Sequence, residues 1–228
     1  MPRATLGRMT TTTTTTIPAE LFLLLTNDAG RQDATQYRRQ ALAGAAVAEL
    51  VLREKVELSE ERNPRVHVSD PSSLGIPVLD QALGALTELE GRRLRSVIAH
   101  RSMDLTEVIG ECMVAAGAVT RKDGWFLTSW PAHDVSLESA LRSRLTEAVR
   151  DSRRASLQDG ILLEMLRSLR IAHRILREDL DGLSRRELDA VIAGLEIDAP
   201  AAKAVKRVMD DMNAAMIATT AAAGGGAT

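Results

Sequence analysis

The fold and function of this chain turn on residues 118–131, Ala118-Val119-Thr120-Arg121-Lys122-Asp123-Gly124-Trp125-Phe126-Leu127-Thr128-Ser129-Trp130-Pro131. Three of the five aromatic residues of the chain fall in this stretch. Asp-Gly between two short β-prone runs is typical of a hairpin with a type I′ turn, because both central residues of that turn need positive φ. We therefore predict a β-hairpin with Asp123 and Gly124 at its tip. We expect Trp125 and Phe126 to point outward, and Trp130 to fold back on the body of the protein. Such a hairpin is either a structural clasp or a contact surface.

The rest of the chain has the pattern of a helical protein. Apolar residues at helical spacing predict helices at about 18–25, 36–53, 78–89, 94–98, 105–116, 137–152, 157–177 and 185–195, and a last helix from about 200 onward. Val56–Leu58 and Val66–Val68 alternate as the strands of a smaller hairpin. The predicted fold class is mainly α, with one compact multi-helix domain and short β-hairpins, one of which protrudes and is aromatic.

Composition shifts mark the two ends of the chain. Residues 1–16 contain an unbroken threonine run and no core-forming pattern, so we expect them to be disordered. Residues 17–219 are expected to form the domain, and the glycine-rich residues 220–228 a flexible tail.

Two four-residue patterns predict where helices begin. Asp104 with Glu107, and Ser184 with Glu187, have the N-cap and N3 spacing of a capping box. Cys112 lies on the apolar stripe of the helix that follows the first pattern, which favours a packing role over a nucleophilic one.

Composition also limits the partners and the compartment. The net charge of −2 gives no global attraction to nucleic acid or acidic lipid, so any such binding must come from a local patch. A single cysteine excludes an intrachain disulfide and suits a reducing compartment. The apolar run Leu21–Leu25 is too short for a signal peptide or a membrane span, so we expect a cytoplasmic protein. Only four of the 29 basic residues are lysine and alanine is abundant, which is typical of a GC-rich genome and predicts a bacterial source.

Signals for catalysis are weak. The four histidines, His67, His100, His133 and His173, lack the spacing of a metal-binding pair. The sequence has no glycine-rich phosphate loop and no nucleophile elbow. We therefore predict no enzymatic activity, no metal and no cofactor.

A helix followed by a hairpin also fits a winged helix, which raises the alternative of nucleic-acid binding. That helix carries Asp104, Glu107 and Glu111, with no lysine or arginine between Leu105 and Thr120. Because phosphate neutralisation dominates affinity for DNA, such a helix would repel it. Nucleic-acid binding is therefore the minor alternative.

Clusters of arginine favour phosphate recognition instead, because guanidinium binds phosphate in a bidentate manner. These clusters are Arg38 and Arg39; Arg92, Arg93 and Arg95 with His100 and Arg101; and Arg150, Arg153 and Arg154. An exposed aromatic hairpin nearby could enter the interfacial region of a membrane, where tryptophan is favoured. For that membrane or oligomer contact we predict Lys122, Trp125, Phe126 and Trp130.

Four motifs, taken in order, resemble the Golgi phosphoprotein family of peripheral membrane proteins. They are Leu21-Phe22-Leu23-Leu24-Leu25-Thr26-Asn27-Asp28-Ala29-Gly30-Arg31; Leu42-Ala43-Gly44 leading into Ala48-Glu49-Leu50-Val51-Leu52-Arg53-Glu54-Lys55-Val56-Glu57-Leu58; Gly75-Ile76-Pro77-Val78-Leu79-Asp80-Gln81-Ala82-Leu83; and Gly117-Ala118-Val119 before the hairpin. The similarity covers roughly residues 17–200. The resemblance implies a mostly helical domain that binds phosphatidylinositol 4-phosphate in a basic pocket and uses its hairpin for membrane contact and self-association.

The family's pocket residues do not carry over to this sequence. The aromatic anchor of the family falls near Ala34, and its three arginines fall at Ala43, Met103 and Thr106. Losing three arginine–phosphate contacts at roughly 1.5–3 kcal/mol each removes most specific affinity unless other residues replace them. The nearest candidates for a replacement head-group site are Tyr37, Arg38, Arg39 and Arg101.

The sequence therefore favours a non-catalytic peripheral membrane or adaptor protein that binds anionic phospholipid on the cytoplasmic face of a membrane. Phosphatidylinositol 4-phosphate is implied by the resemblance alone. The alternative is a soluble interaction module that oligomerises through its hairpin and lacks a lipid site. A homo-oligomer and an unidentified protein client are the other expected partners.

Overall fold

The protein is a helical bundle that carries two small antiparallel sheets. It is seen in a computed structural model that describes residues 16–27, 29–31, 36–125, 128–180, 182–195 and 202–224. The described helices are α1 (Ile17–Leu24), α2 (Arg38–Leu52), α3 (Pro77–Glu88), α4 (Leu94–Ile98), α5 (Thr106–Ala115), α6 (Val135–Arg150), α7 (Leu157–Ser168), α8 (Ala172–Leu176), α9 (Arg185–Ala193) and α10 (Ala202–Gly224), with 3-10 helices at Arg101–Met103 and Ser152–Arg154. The described strands are β1 (Val56–Leu58), β2 (Val66–Val68), β3 (Lys122–Asp123) and β4 (Thr128–Ser129). The mainly α fold class is confirmed.

Helix α1 forms the centre of the bundle, and every one of its residues is buried. It packs against α2, α5, α6 and α7. Its one charged residue is Glu20. The carboxylate of Glu20 accepts hydrogen bonds from both terminal nitrogens of Arg144 on α6, at 2.7 and 2.9 Å, and from the side-chain amide of Gln158 on α7, at 2.6 Å. Arg144 also binds Asp159 at 2.6 Å. Glu20 and Asp159 are buried while Arg144 is partly exposed, and a buried carboxylate that loses its cation is destabilising, so these contacts tie α1 to α6 and α7.

Helices α2 and α10 approach each other closely because α2 is rich in small residues. A Cβ atom placed on Gly44 would lie 3.0 Å from the sulfur of Met212 on α10. Met209, Met212 and Met216, which lie on one face of α10, are buried and belong to the core. Helix α2 also carries a buried carboxylate, Glu49, whose Oε2 accepts the backbone N–H of Ile17 at 2.8 Å.

The smaller sheet pairs β1 with β2 in the register Val56↔Val68 and Leu58↔Val66, which confirms the predicted strands. Just before β1, the buried side chain of Lys55 donates hydrogen bonds from its ammonium to Asp70 at 2.5 Å and to Ser72 Oγ at 2.7 Å. These bonds fix the segment that leads from β2 to α3.

One predicted helix is divided into two. The apolar periodicity predicted a continuous helix over 157–177, but α7 ends at Ser168 and α8 begins at Ala172. Arg170 takes a left-handed conformation, with φ 59°, and the N–H of Ile171 donates to Leu166 at 3.0 Å. This closure normally uses glycine. The periodicity continues on both sides of the break, so the pattern did not reveal it.

The two predicted capping boxes have different outcomes. Ser184 and Glu187 form the predicted box at the start of α9. The box predicted at α5 is wrong, because Asp104 accepts instead from Thr106 N at 3.2 Å and the carboxylate of Glu107 binds Arg121.

The ends of the chain also differ from the expected boundaries. Residues 1–15, most of the segment predicted to be disordered, lie outside the described residues. Thr16 is buried, and its carbonyl accepts the N–H of Glu20 at 2.9 Å. Helix α10 continues to Gly224, beyond the predicted domain end at 219.

Candidate functional site

The aromatic hairpin forms, but with a different tip from the predicted one. Lys122 pairs with Ser129 and Asp123 pairs with Thr128, so the four residues 124–127 connect the strands. The type I′ turn with Asp123 at its centre is therefore wrong, because Asp123 belongs to strand β3.

The connection between these strands carries a highly exposed tryptophan. The side chain of Trp125 is 93% exposed, and the neighbouring Lys122 is also exposed. Phe126, the second predicted anchor, lies outside the described residues.

The base of the hairpin is fixed by Arg121. Its guanidinium binds the carboxylates of Glu107 and Glu111 on α5 and of Asp123 on β3, the last at 2.9 Å. The same guanidinium lies over the ring of Trp130, 5.4 Å from the ring centroid. The hydrogen bonds that Arg121 donates to Asp123, Glu107 and Glu111 raise the pKa of its guanidinium above the usual range.

Trp130 is an anchor inside the protein. It is 2% exposed and packs edge-on against Phe22 of α1, with ring centroids 6.3 Å apart. Gly110 of α5 makes room for it, because a Cβ atom there would lie 2.5 Å from the Trp130 ring. The prediction that Trp130 folds back on the body is confirmed, so it does not belong to the outward contact surface with which the sequence grouped it.

The turn after α1 holds the same part of the hairpin. Gly30 has φ 73°, and a Cβ atom on it would overlap the backbone of Pro131 at 2.1 Å. Its carbonyl accepts the N–H of Trp130 at 2.7 Å. Only glycine fits this position, because both the conformation and the close approach exclude a side chain.

The hairpin points toward the N-terminal end of α5. Ala118 N–H donates to Met113 near the C-terminal end of that helix, at 2.9 Å, and three residues later Arg121 reaches Glu111 and Glu107. The segment therefore runs antiparallel to α5. Strand β3 continues from this segment toward the end of α5 that the 3-10 helix Arg101–Met103 precedes.

The predicted basic residues lie partly at this same end. The 3-10 helix that carries exposed Arg101 packs against α2, which begins at Arg38. Burial lowers the pKa of Arg38, and the charge of Asp104 opposes that shift. Asp104 therefore offsets part of the positive charge of Arg38. The next residue along α2, Arg39, is half-buried.

Ala43, Met103 and Thr106, the positions with which the resemblance aligns the arginines of the basic pocket, carry uncharged side chains. Ala43 and Met103 are both fully buried, and Thr106 is half-buried. Ala34 lies outside the described residues. The described part of the chain therefore presents no guanidinium at these positions.

Tyr37, which directly precedes Arg38, lines a cleft with residues that the sequence did not group with it. The cleft has a volume of about 470 Å³, and its other lining residues are Arg167, Ser168, Leu169, Arg170, Asn213 and Met216. Arg167 and Arg170 were not among the predicted site residues, because the apolar periodicity places both inside one continuous helix. In the structure α7 ends at Ser168, and both arginines lie beside that end.

The thiol of Cys112 is not activated. Burial and the nearby charge of Glu111 raise its pKa, so the neutral thiol dominates at physiological pH. Among the described residues, no cluster of three or more His, Cys, Asp or Glu side chains could hold a metal ion. The described helices include none with the length and apolar character needed to cross a membrane.

Comparison with known proteins assigns the fold to a family. A model of the family described as Golgi phosphoprotein 3 (GPP34) matches residues 17–212, from the first residue of α1 to Met212 in α10. No curated protein matches the chain. The matched region includes both hairpins and the anchored Trp130. The chain therefore belongs to the Golgi phosphoprotein 3 (GPP34) family.

Proposed function

We propose that this protein is a non-catalytic peripheral membrane or adaptor protein. Residues 17–219 act as one domain that docks on anionic phospholipid from the cytoplasm. The observation that carries the proposal is Trp125, which is 93% exposed on a hairpin whose base is anchored by Arg121 and Trp130. A large aromatic side chain held in water by a rigid support is typical of a contact surface.

Physical chemistry favours a membrane as the surface that receives Trp125. Tryptophan is favoured at the interface between lipid and water. Because the hairpin base is already ordered, insertion of the tip costs little additional conformational entropy. Lys122 and Arg101 are exposed at this end of the molecule, and each basic residue near an anionic surface contributes roughly 1 kcal/mol.

We propose that the protein selects membranes by their negative surface charge and not by the identity of one head group. The family resemblance implies phosphatidylinositol 4-phosphate, but Ala43 and Met103 are buried where the family places arginines. We therefore expect phosphatidylinositol 4-phosphate vesicles to bind no better than other anionic vesicles of equal surface charge.

Vesicle co-sedimentation at low salt tests this function, with neutral, phosphatidylserine-containing and phosphatidylinositol 4-phosphate-containing vesicles. Wild-type protein is expected to bind both anionic vesicles, and Trp125→Ser to reduce that binding severalfold without changing the thermal midpoint. Val135→Ser is the matched control, because Val135 is an apolar residue that is 72% exposed but belongs to helix α6 and not to the hairpin. Failure of the wild-type protein to bind any vesicle at low salt would contradict the proposal.

A second function is favoured by the charges at the base of the hairpin. Glu107, Glu111 and Asp123 outnumber Arg121 and Lys122, which weakens attraction to an anionic surface at close range. The alternative is therefore an interaction module whose hairpin mediates self-association. Analytical ultracentrifugation distinguishes the two: a wild-type oligomer that Trp125→Ser dissociates, in a protein that binds no vesicle, would establish the alternative.

A further inference from the structure

The cleft beside Tyr37 is lined by cationic and hydrogen-bonding groups. Its described walls are the end of α7, the start of α2 and the middle of α10, and we name it the Arg170 cleft after its most exposed cation. Arg167, Arg170, Ser168 and Asn213 supply the polar lining, and no carboxylate is among the described lining residues. The lining therefore carries two cations, of which Arg167 is paired with Glu164, the acid that also accepts the hydroxyl of Ser168 at 3.4 Å.

Arg167 is held in place by an acid outside the cleft. Glu164 accepts from its Nε at 2.8 Å and from its Nη2 at 2.6 Å. These bonds raise the pKa of Arg167 and orient its guanidinium. Among the described residues, no acceptor lies within hydrogen-bond distance of Nη1, so that group can donate to a ligand. On the same side of the cleft, the Asn213 amide donates to Ser168 Oγ at 3.3 Å.

Arg170 supplies the second cation. It is exposed, and none of the described carboxylates lies within salt-bridge distance of it. The end of a helix carries partial negative charge, which would oppose an anion there. Here the terminal carbonyls are occupied, because Arg167 O accepts from Arg170 N at 2.9 Å and Leu166 O accepts from Ile171 N at 3.0 Å. The opposing charge is therefore reduced.

We propose that the Arg170 cleft binds a small molecule that carries a phosphate group and neighbouring hydroxyls. The phosphate would lie between the guanidinium groups of Arg167 and Arg170, since paired guanidiniums suit its geometry. The side-chain amide of Asn213 would hydrogen-bond the hydroxyls, while Ser168, which donates to Glu164 and accepts from Asn213, would keep that amide in place. This site goes beyond the proposed function, because it is separate from the hairpin and does not require Trp125. The phosphate can belong to a free metabolite or to a lipid head group.

The chain offers a substitution that removes the cation without weakening the fold. Arg170 has φ 59°, a conformation that glycine adopts without strain. Arg170→Gly is therefore expected to leave the thermal midpoint unchanged or to raise it by up to about 2–4 °C. Glu54→Gly is the matched control, because Glu54 has φ 58° in the same kind of closure, where Lys55 N donates to Leu50 O at 2.9 Å, and it does not line the cleft.

Isothermal titration with inorganic phosphate and with glycerol 3-phosphate tests the site in the full chain. Wild type and Glu54→Gly are expected to bind glycerol 3-phosphate more tightly than phosphate, and Arg170→Gly to bind it about tenfold more weakly or worse. Absence of binding of either probe at millimolar concentration and low salt, equal binding by Arg170→Gly, or an equal loss in Glu54→Gly would each overturn the proposal.

Vesicles containing phosphatidylglycerol identify the source of the phosphate. If the cleft takes a lipid head group, vesicle binding falls in Arg170→Gly as well as in Trp125→Ser. If it takes a free metabolite, Arg170→Gly binds vesicles like the wild type while losing glycerol 3-phosphate. Because glycerol 3-phosphate binding does not involve the hairpin, a failed vesicle experiment leaves this result intact and contradicts only the membrane function.

Discussion

The contact of Gly110 with Trp130 determines, at the scale of single residues, where the hairpin attaches. A Cβ atom on Gly110 would lie 2.5–2.6 Å from three atoms of the indole. We expect Gly110→Ala to lower the free energy of unfolding by about 1–3 kcal/mol, because the ring must move in a packed core. The better helix propensity of alanine offsets at most about 1 kcal/mol of that loss. Urea denaturation measures the difference.

Gly84→Ala is the control for this substitution. Gly84 also lies within a helix, but a Cβ atom there meets nothing within 4 Å. Alanine at that site is expected to stabilise the protein by about 0.5–1 kcal/mol. If Gly110→Ala were as stable as Gly84→Ala, Trp130 would not be fixed against α5 in solution.

Single residues also show how far the sequence predicts the candidate site. The inward position of Trp130 was predictable, because it precedes a proline at the end of a β-prone run. The grouping of Tyr37 with Arg38, Arg39 and Arg101 was based on sequence proximity. The structure places Tyr37 instead at a cleft whose other residues are more than 100 positions away in the chain. No local pattern can indicate such a neighbour.

The aromatic hairpin behaves as a separate element whose order depends on Arg121. Arg121→Gln removes the charge that holds Glu107, Glu111 and Asp123 together. We expect the amides of residues 118–132 to exchange with deuterium faster in this variant, while the amides of α1 and α2 keep their protection. The repulsion of the three carboxylates then loosens the strands without opening the core.

Arg153→Gln is the control for this experiment, because Arg153 is exposed and pairs with a single acid, Asp151, outside the hairpin. It should leave exchange of the hairpin unchanged. Unchanged exchange of residues 118–132 in Arg121→Gln would mean that Trp130 and Gly30 alone fix the hairpin.

The secondary-structure elements, in contrast to the candidate functional site, were largely predictable from the sequence. Hydrophobic periodicity placed most helices and the strands β1 and β2 because those elements bury one face, and α1 was placed by its continuous apolar run. The break at Arg170 was missed because its closing hydrogen bonds are local and leave the apolar periodicity unchanged, whereas the missing capping box of α5 depends on a contact with another part of the chain. Glu107 could form a capping box, but Arg121 on the hairpin binds its carboxylate instead.

The stability of the whole molecule in acid depends on two carboxyl groups, Asp70 and Glu49, whose pKa values are shifted by the fold in opposite directions. The hydrogen bond from Lys55, and then those from Ser72, lower the pKa of Asp70 to about 2 from an unfolded value of 3.8. Its contribution to stability is therefore complete above about pH 4 and is lost as the pH falls toward 2. Burial raises the pKa of Glu49 above 4.5, so its contribution increases as the pH falls toward that value. We expect the free energy of unfolding to hold on mild acidification and to fall below about pH 4.

Asp70→Asn tests the part of this behaviour that belongs to one ion pair. The variant is expected to be less stable than the wild type at pH 7, with a difference that disappears as the pH approaches 2, because protonated Asp70 no longer attracts Lys55. Glu60→Gln, on an exposed carboxylate of the β1–β2 loop, should show no such convergence. Thermal unfolding between pH 2 and pH 7 measures both. A difference between Asp70→Asn and wild type that stays constant down to pH 2 would exclude the role of this pair.

The buried position of α1 has a consequence for how the protein is made. This helix is synthesised before the rest of the described fold, and its Glu20 binds Arg144 and Gln158, which follow it by 124 and 138 residues. Helix α2 follows directly and can cover one side of α1, but the side that packs against α6 and α7 stays uncovered until those helices have been made. Contacts between residues so distant in sequence slow folding and prolong the lifetime of aggregation-prone intermediates. We therefore expect the uncovered side of α1 to be a segment of the nascent chain that a chaperone binds.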